Sequence, residues 1–307
     1  MPKVKSLKFA TATLVLSVLT ACGGGGSTTP VTKTGYFIDS AVAGLEYTSG
    51  STTGITGADG SFQYEEGQPV SFKIGSMNLG SLTVKNSRVF PVDLVSGATD
   101  ETDTKVTLMA QILQTLDSDG DASNGITITD RARKAINQAI EVASADPSQT
   151  TAAINLLLAN ATADRTTGPA SGLINVNNAK SHLNANLVKE FAGNWTGSFT
   201  GNDSGTCQAT VSTIGLINGT CTSTLAGNFD ISGLVKSSGT WQTGSASVGI
   251  AAPSSAASSA TSSVASNGSG SASTGAVFDG SFTRAGNAAG TWVNGSSYAG
   301  TWTMTKQ

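Results

Sequence analysis

Residues 117–125 concentrate carboxylates in one short segment, Asp-Ser-Asp-Gly-Asp-Ala-Ser-Asn-Gly. Asp117, Asp119 and Asp121 alternate with small residues, and Asn124 adds an amide oxygen. Oxygen ligands at alternate positions of a tight turn can converge on one hard cation, and glycine permits the turn. The segment therefore predicts a structural Ca²⁺ site with Asp117, Asp119, Asp121 and Asn124 as ligands.

The same loop also has a simpler interpretation, because it departs from the EF-hand calcium loop. Glycine stands at position 4 rather than 6, and position 12 is Ile128 rather than the glutamate that supplies two ligand oxygens. A solvated acidic turn between two helices explains the composition without a metal. Three carboxylates after a helix C-terminus are electrostatically unfavourable, however, and a bound cation would offset that.

The N-terminal residues have the pattern of an export signal. Three lysines precede the apolar run 9–19, which is too short to span a membrane. Leu19-Thr20-Ala21-Cys22 resembles the lipobox of bacterial lipoproteins. The resemblance implies that residues 1–21 are removed and that Cys22 carries acyl chains such as palmitate. Gly23 replaces the Asp that holds similar lipoproteins at the inner membrane, which implies the outer membrane. An ordinary secretory signal is the alternative.

Two further cysteines remain, Cys207 and Cys221. They lie in short alternating segments joined by a turn centred near Ile214, so that they fall opposite each other. Exported proteins form disulfides in oxidising compartments. We therefore predict a Cys207–Cys221 cross-strand disulfide, with two free buried thiols as the alternative. Two cysteines are too few ligands for a zinc site.

Other chemistry has little support in the sequence. The single histidine, His182, has no serine or cysteine nucleophile motif beside it. Glu65 and Glu66 are adjacent, so on a strand their side chains would point to opposite faces. Charged residues make up 12% of the chain and the formal net charge is −3, which excludes the basic patch of a nucleic-acid-binding protein. We expect no catalysis, no catalytic cofactor and no nucleic-acid partner.

Composition divides the rest of the chain after a flexible tether at 22–33. Short alternating runs broken by glycine predict a small β-sandwich of about five strands in 34–99, with a hairpin at Ala58-Asp59-Gly60. Apolar residues at helical spacing predict a helical region at 100–190. The chain therefore belongs to the mainly β class with a helical insert.

Four helices are predicted in this insert. The first carries an apolar stripe from Val106 to Leu116, and the second begins after Thr129 as N-cap and carries its stripe to Ile140. The third starts at Pro147, and the fourth covers about 178–191. We expect the helices to pack together or onto the first sheet, since none can bury its stripe alone.

Residues 191–307 contain eight short alternating segments, mostly joined by two to five residues. Short links make neighbouring strands antiparallel, and eight such strands can close into a β-barrel without free edges. All four tryptophans follow the pattern Gly-x-Trp, and these repeats resemble small meander barrels such as lipocalins and avidins. We expect the tryptophans to fill the barrel, with ligand contact as the alternative. An Ala/Ser-rich stretch at 251–275 predicts a disordered loop.

Two segments resemble parts of exported bacterial proteins. Gly54-Ile55-Thr56 with Asp59-Gly60-Ser61-Phe62 resembles transthyretin-like or carboxypeptidase-regulatory-like modules, which serve as spacers or stalks. Pro91-Val92-Asp93-Leu94-Val95-Ser96-Gly97-Ala98-Thr99-Asp100, continuing through Leu113-Gln114-Thr115-Leu116, resembles a segment of modular surface lipoproteins. The resemblance implies an exported modular protein and no particular activity.

Together these features predict a lipid-anchored envelope protein that acts as a non-catalytic adhesin-like or structural binding module. Its Ser/Thr/Gly-rich surface with scattered tryptophans suits weak contact with glycans or another envelope protein. The alternative is a small-molecule carrier that uses the interior of the C-terminal barrel. A cavity larger than a few water volumes would favour the carrier, whereas a filled interior would favour the binding or structural role.

Overall fold

The computed structural model describes residues 30–243 and 275–307 as a mainly β protein with α-helices between two β regions. The predicted signal at 1–21 and Cys22 lie outside the described residues, as do 251–274 of the predicted loop. In the described part of the chain, no helix combines the length and the apolar character that crossing a membrane requires.

Short strands build the N-terminal part. They are β1 (Thr32–Phe37), β2 (Val42–Ala43), β3 (Glu46–Ser49), β4 (Thr52–Ile55), β5 (Ser61–Glu65), β6 (Pro69–Ile74), β7 (Met77–Thr83) and β8 (Arg88–Val89). Two more, β9 (Ile126–Thr127) and β10 (Ile140–Glu141), come from the helical region. The sheets have the orders β5-β1-β8, β10-β7-β6-β3-β4 and β2-β9.

Alternating apolar side chains pack these sheets against one another. Phe37 of β1 and Phe62 of β5 both meet Phe72 of β6 edge-on, with ring centroids 4.9 Å apart in each pair. Edge-to-face aromatic pairs add about 0.5–1.5 kcal/mol to the burial of the rings. The three phenylalanines therefore join the two main sheets of the sandwich.

The predicted hairpin at Ala58-Asp59-Gly60 is wrong. The turn forms, but β4 pairs with β3 whereas β5 pairs with β1. The turn therefore carries the chain from one sheet to the other. Gly60 has φ +78°, and a Cβ at this position would lie 2.5 Å from the Phe37 carbonyl oxygen. Glycine is required here by the close approach of β1 as well as by the backbone angle.

The helices of the described chain are α1 (Pro91–Leu94), α2 (Thr104–Thr115), α3 (Asp130–Ala135), α4 (Pro147–Ala161) and α5 (Val176–Lys189). Thr129 caps α3 by accepting the Ala132 N–H, as predicted. The expectation that this helix extends to Ile140 is wrong, because α3 ends at Ala135. Ile140 instead pairs with Met77 of β7, which buries its side chain against the large sheet.

The sandwich and the helices share one hydrophobic core. Met109 and Ile112 of α2, Ile154 of α4 and Leu183 of α5 are fully buried in the same cluster as Phe72 of the sheet. The apolar stripes of the long helices are thus covered by β-strands and by each other. This arrangement satisfies the expectation that the helices pack together or onto the first sheet.

The C-terminal strands form a closed antiparallel barrel in chain order. They are β11 (Gly193–Gly201), β12 (Gly205–Val211), β13 (Leu216–Ser223), β14 (Gly227–Val235), β15 (Thr240–Thr243), β16 (Val277–Phe282), β17 (Asn287–Asn294) and β18 (Tyr298–Lys306). The barrel closes where β11 pairs with β18. The predicted eight-stranded antiparallel barrel is confirmed.

The Gly-x-Trp repeats of the last two strands interlock. Gly290 lies opposite Trp302 and Trp292 lies opposite Gly300 in the β17–β18 register. A Cβ at Gly290 would approach Trp302 Nε1 to 2.7 Å, and one at Gly300 would approach Trp292 Nε1 to 2.5 Å. Each glycine therefore provides the space for the tryptophan of the neighbouring strand.

Candidate functional site

The described interior of the barrel is filled with side chains. Its core combines tryptophan and phenylalanine rings with small aliphatic residues, and the tryptophans Trp195, Trp241, Trp292 and Trp302 are at most 4% exposed. The prediction that the tryptophans fill the barrel is confirmed. The expectation of scattered tryptophans on the polar surface is wrong, because period-2 alternation turns all four inward.

A small cavity remains at the barrel mouth, which we define as the end where β11 passes into β12. Its volume is about 40 Å³, and Phe199, Phe229, Phe278 and Trp292 contribute to its wall. One water-sized probe needs about 10–15 Å³. The cavity therefore has the size of a few waters, which is the result expected for a filled barrel.

The buried tryptophan N–H groups are mostly satisfied by backbone carbonyls. Trp195 Nε1 donates to the Phe191 carbonyl at 2.9 Å, and Trp292 Nε1 donates to the Thr200 carbonyl at 3.0 Å. Trp241 Nε1 is buried without an acceptor among the described residues. The aromatic core is thus fixed by hydrogen bonds as well as by packing.

The predicted disulfide between Cys207 and Cys221 is confirmed. The two residues lie directly opposite each other in the β12–β13 register, with Cα atoms 4.0 Å apart. Both side chains face the barrel core and are at most 5% exposed. The bridge therefore joins two neighbouring strands inside the barrel, where it is shielded from solvent.

The acidic loop is organised by its own hydrogen bonds. Asp117 accepts the N–H groups of Gly120 and Thr127 at 3.0 and 2.8 Å. Asp119 accepts the Asp121 N–H at 2.8 Å and the Asn124 Nδ2 amide at 2.9 Å. The four predicted calcium ligands therefore belong to one compact loop. Most of its carboxylate oxygens accept hydrogen bonds from N–H groups of the same loop.

The charges of this loop interact strongly. Partial burial raises the pKa of Asp117, and the neighbouring Asp119 carboxylate raises it further. Hydrogen bonds from Asp117 and Asn124 lower the pKa of Asp119 to about 2. Within the described chain, no three His, Cys, Asp or Glu side chains converge as a metal-binding group. Calcium binding at Asp117, Asp119, Asp121 and Asn124 stays a prediction.

A cation of the protein already lies against this loop. A Cβ at Gly120 would meet Arg165 Nη2 at 2.1 Å, so the guanidinium packs directly on the turn. Thr166 N–H donates to the Ser118 carbonyl at 3.3 Å, which attaches the following segment to the loop. Arg165 therefore supplies part of the positive charge that a metal would bring.

A polar cluster that the sequence analysis missed surrounds His182. Its Nε2 lies 3.1 Å from Ser40 Oγ, 3.1 Å from the Asp39 carbonyl oxygen and 3.9 Å from Asp39 Oδ1. Asn186 Nδ2 approaches the same nitrogen to 3.2 Å. A catalytic triad needs the carboxylate and the hydroxyl on opposite ring nitrogens. This cluster places both beside Nε2 and so does not form one.

Asp39 is the buried acid of that cluster. It is fully buried, and Gln114 Nε2 donates to its Oδ2 at 3.0 Å and to its Oδ1 at 3.3 Å. Burial raises the pKa of Asp39 to about 7, while the Gln114 hydrogen bond opposes the rise. Burial also lowers the pKa of His182. Ser40 follows with φ +55°, a conformation unusual for a residue other than glycine.

Polar side chains cover one side of the barrel exterior. Apart from Ala299, the outward residues of β11, β12, β13 and β18 between the strand ends are Thr, Ser, Asn or Gln, and we call these polar residues the neutral polar face. They are Asn194, Thr196, Ser198, Thr200, Thr206, Gln208, Thr210, Asn218, Thr220, Thr222, Thr301, Thr303 and Thr305. Many are exposed, and a shallow groove of about 600 Å³ crosses the part on β11, β12 and β13.

A long-range ion pair attaches the barrel to the N-terminal part, and another joins β8 to the residue that follows α5. Arg284 in the β16–β17 turn makes a two-pronged contact with Asp93 of α1, with Nη1 2.9 Å from Oδ2 and Nη2 against Oδ1. The Arg284 guanidinium also lies over the Phe90 ring, 4.9 Å from its centroid. Arg88 Nε pairs with Glu190 Oε1 at 2.7 Å. Neither long-range pair could be recognised from sequence spacing.

Comparison of the chain with protein-family models finds no match, and comparison with curated proteins finds none either. The candidate sites are therefore the features of the structure itself: the neutral polar face, the acidic loop, the His182 cluster and the junction between the two cores.

Proposed function

We propose that the protein is a lipid-anchored component of the bacterial cell envelope that acts as a non-catalytic adhesin-like or structural binding module. The outer membrane is the proposed location, and the resemblance of residues 19–22 to a lipobox supports attachment through Cys22. The observation that carries the binding role is the neutral polar face. An eight-stranded barrel whose interior is packed with its own aromatic rings has to bind partners on its outside.

The chemistry of this face suits a neutral glycan. Hydroxyl and amide groups both donate and accept hydrogen bonds, as sugar hydroxyls do. Two pairs lie within the face, Thr210 Oγ1 donating to Asn194 Oδ1 at 3.2 Å and Thr200 with Thr301 at 3.5 Å. Three other threonines of the face bond to neighbouring side chains, those of Gln307, Asp230 and Asn228. The exposed Gln208 amide has no hydrogen-bond partner among the described residues, so it can exchange water for a polysaccharide, and the groove gives one chain a place to lie.

A small-molecule carrier is the alternative function. The described interior offers about 40 Å³ at the mouth, well below the 300–1,000 Å³ of typical ligand pockets. The buried Trp241 N–H favours a polar ligand, because it has no acceptor among the described residues. A carrier would have to displace packed aromatic rings to admit one, so the binding role has the stronger support.

Anchoring is tested by fractionating cells that express the wild type or Cys22→Ser. We expect the wild type in the outer-membrane fraction and the variant in the soluble fraction, because a lipid chain is then missing. Surface labelling of intact cells adds the orientation. An acyl-free Cys22 in the wild type, or a variant that stays with the membrane, would refute the anchor.

Binding is tested on immobilised neutral polysaccharides with two matched variants. Gln208→Lys places a charge in the groove, and Thr291→Lys places the same charge on an exposed position of β17 outside the neutral polar face. We expect Gln208→Lys to weaken retention about tenfold and Thr291→Lys to leave it unchanged. Equal behaviour of both variants, or no retention of the wild type, would exclude this face as the binding surface.

A further inference from the structure

A cleft lies at the junction between the N-terminal part and the barrel. It has a volume of about 360 Å³ and includes Leu82, Thr83, Lys85, Arg88, Asp93 and Arg284 in its wall. Small-molecule sites have volumes of about 300–1,000 Å³ and occur preferentially at the boundaries between structural units. The cleft therefore has the size and the location of a site for a small ligand.

Positive charge is concentrated in this cleft. Lys85, Arg88 and Arg284 line it against the single carboxylate Asp93, whereas the chain as a whole has a formal net charge of −3. Glu190 neutralises Arg88 from outside the lining. A concave surface with one dominant sign of charge raises the local concentration of oppositely charged ligands.

Arg284 is held in place before any ligand arrives. Its contact with Asp93 and its position over the Phe90 ring fix the plane of the guanidinium. The Asp93 contact occupies two of the five N–H donors of the side chain. Within residues 30–243 and 275–307 the remaining donors have no protein acceptor, so Arg284 can bind an oxyanion without losing Asp93.

Lys85 supplies a second available cation. Its side chain is exposed, and within the described chain it forms neither an ion pair nor a hydrogen bond. A lysine ammonium acts as a mobile point charge, while an arginine guanidinium presents a fixed fork. The two together form a pair of donors suited to one negatively charged group.

We propose that this junction cleft binds a small oxyanion, a carboxylate or phosphate carried by a polar molecule of about the size of one sugar ring. Lys85 and Arg284 bind the anionic group through charge-assisted hydrogen bonds. Thr83 and Asn86 offer hydrogen bonds to hydroxyl groups, and Leu82 provides an apolar wall. The cleft shares no residue with the neutral polar face, so this inference goes beyond the proposed function.

Calorimetric titration of the full chain with inorganic phosphate, glucuronate and glucose tests the proposal. We expect at least one of the two anions to bind and glucose to give no signal up to about 10 mM. Binding of phosphate alone, of glucuronate alone or of both identifies the anionic group. Failure of both anions to bind, or equal binding of glucose, overturns the proposal.

Variants then locate the site. Lys85→Met should weaken anion binding about tenfold, the effect of losing one hydrogen bond to a charged group, and Lys85→Arg should retain affinity within about threefold. Lys134→Met removes the same charge from an exposed position on α3 and should leave affinity unchanged. Gln208→Lys, which tests the neutral polar face, should not reduce it either. Equal losses for Lys85→Met and Lys134→Met would show non-specific attraction and overturn the proposal.

Discussion

The carboxyl group of Asp39 is fully buried, and this burial raises its pKa to about 7. The ordinary value is 3.8, so between these two values the folded state holds a proton that the unfolded state has released. Stability therefore falls as the pH rises through this window. The lowered pKa of His182 acts in the opposite direction. Below pH 6.5 the unfolded state takes up a proton that the folded state does not bind, so stability falls as the pH falls.

Asp39→Asn should remove the cost of ionising a buried acid. We expect the variant to gain about 1–3 kcal/mol over the wild type at pH 8 and little at pH 4, since one pKa unit corresponds to about 1.4 kcal/mol. Urea unfolding at several pH values measures this difference, with the exposed Asp279→Asn as control. A gain that is independent of pH would contradict the assignment of the raised pKa to Asp39.

The acidic loop yields a second prediction at the residue scale. If Ca²⁺ binds, the repulsion between Asp117 and Asp119 is relieved, and a calcium concentration about 100 times the Kd stabilises the fold by about 2.7 kcal/mol. We expect Ca²⁺ to raise the melting temperature of the wild type and not of Asp119→Ala. Asp119 also hydrogen-bonds its own loop, so the comparison concerns the calcium-induced shift in each variant.

Asp279→Ala removes an exposed carboxylate on the barrel and should retain the full calcium shift. Identical melting curves of the wild type in Ca²⁺ and in a chelator would leave the loop as a solvated turn held by Arg165 and its own hydrogen bonds.

Local sequence patterns were sufficient for most of the elements. The Cys207–Cys221 pair was predictable because both residues lie on adjacent strands joined by one short turn. The β4–β5 connection was not, because the turn at Ala58-Asp59-Gly60 looks the same whether the strands it joins pair with each other or with other strands. Likewise the apolar spacing up to Ile140 is compatible with a helix and with a buried strand. The segment forms a strand because it pairs with the edge of β7, which sequence periodicity does not show.

The disulfide gives a prediction at the scale of the β12–β13 hairpin. The bridged residues are 14 apart in sequence, and closing a loop of this size restricts the unfolded chain by about 3 kcal/mol in the chain-entropy account. Unfolding in urea after reduction should therefore occur at a lower midpoint. The double variant Cys207→Ala/Cys221→Ala should have the same lowered midpoint, and the reductant should not change it. A midpoint that reduction does not change would refute this contribution.

At the scale of the whole molecule, contacts between residues far apart in sequence fix the N-terminal core and join it to the barrel. Asp39 and His182 are 143 residues apart, and Arg284 and Asp93 are 191 apart. No periodicity links such positions, since their proximity follows from the packing of the completed sheets and helices. The junction cleft and the His182 cluster therefore could not be predicted from the sequence, whereas the barrel could.

The Arg284–Asp93 pair should couple these cores energetically. Both side chains are only about one-fifth exposed, at 21% and 20%, so the pair is less screened than a surface salt bridge. A double-mutant cycle with Arg284→Met and Asp93→Asn should give a coupling energy of about 1–3 kcal/mol in urea unfolding. The exposed pair Lys33–Glu66, at 48% and 55%, is the matched control and should give a clearly smaller coupling energy, because solvent screens it.

A coupling energy no larger than that of the control would show that the barrel rests on the N-terminal part without being held by Arg284. The expected larger value follows from the geometry, because Asp93 also accepts the Phe90 N–H at 2.8 Å while the Phe90 ring lies beneath the guanidinium. Loss of either charge then disturbs the N-terminal end of α1 as well as the β16–β17 turn of the barrel. One residue pair would thus connect the stability of the barrel to the fold that carries it.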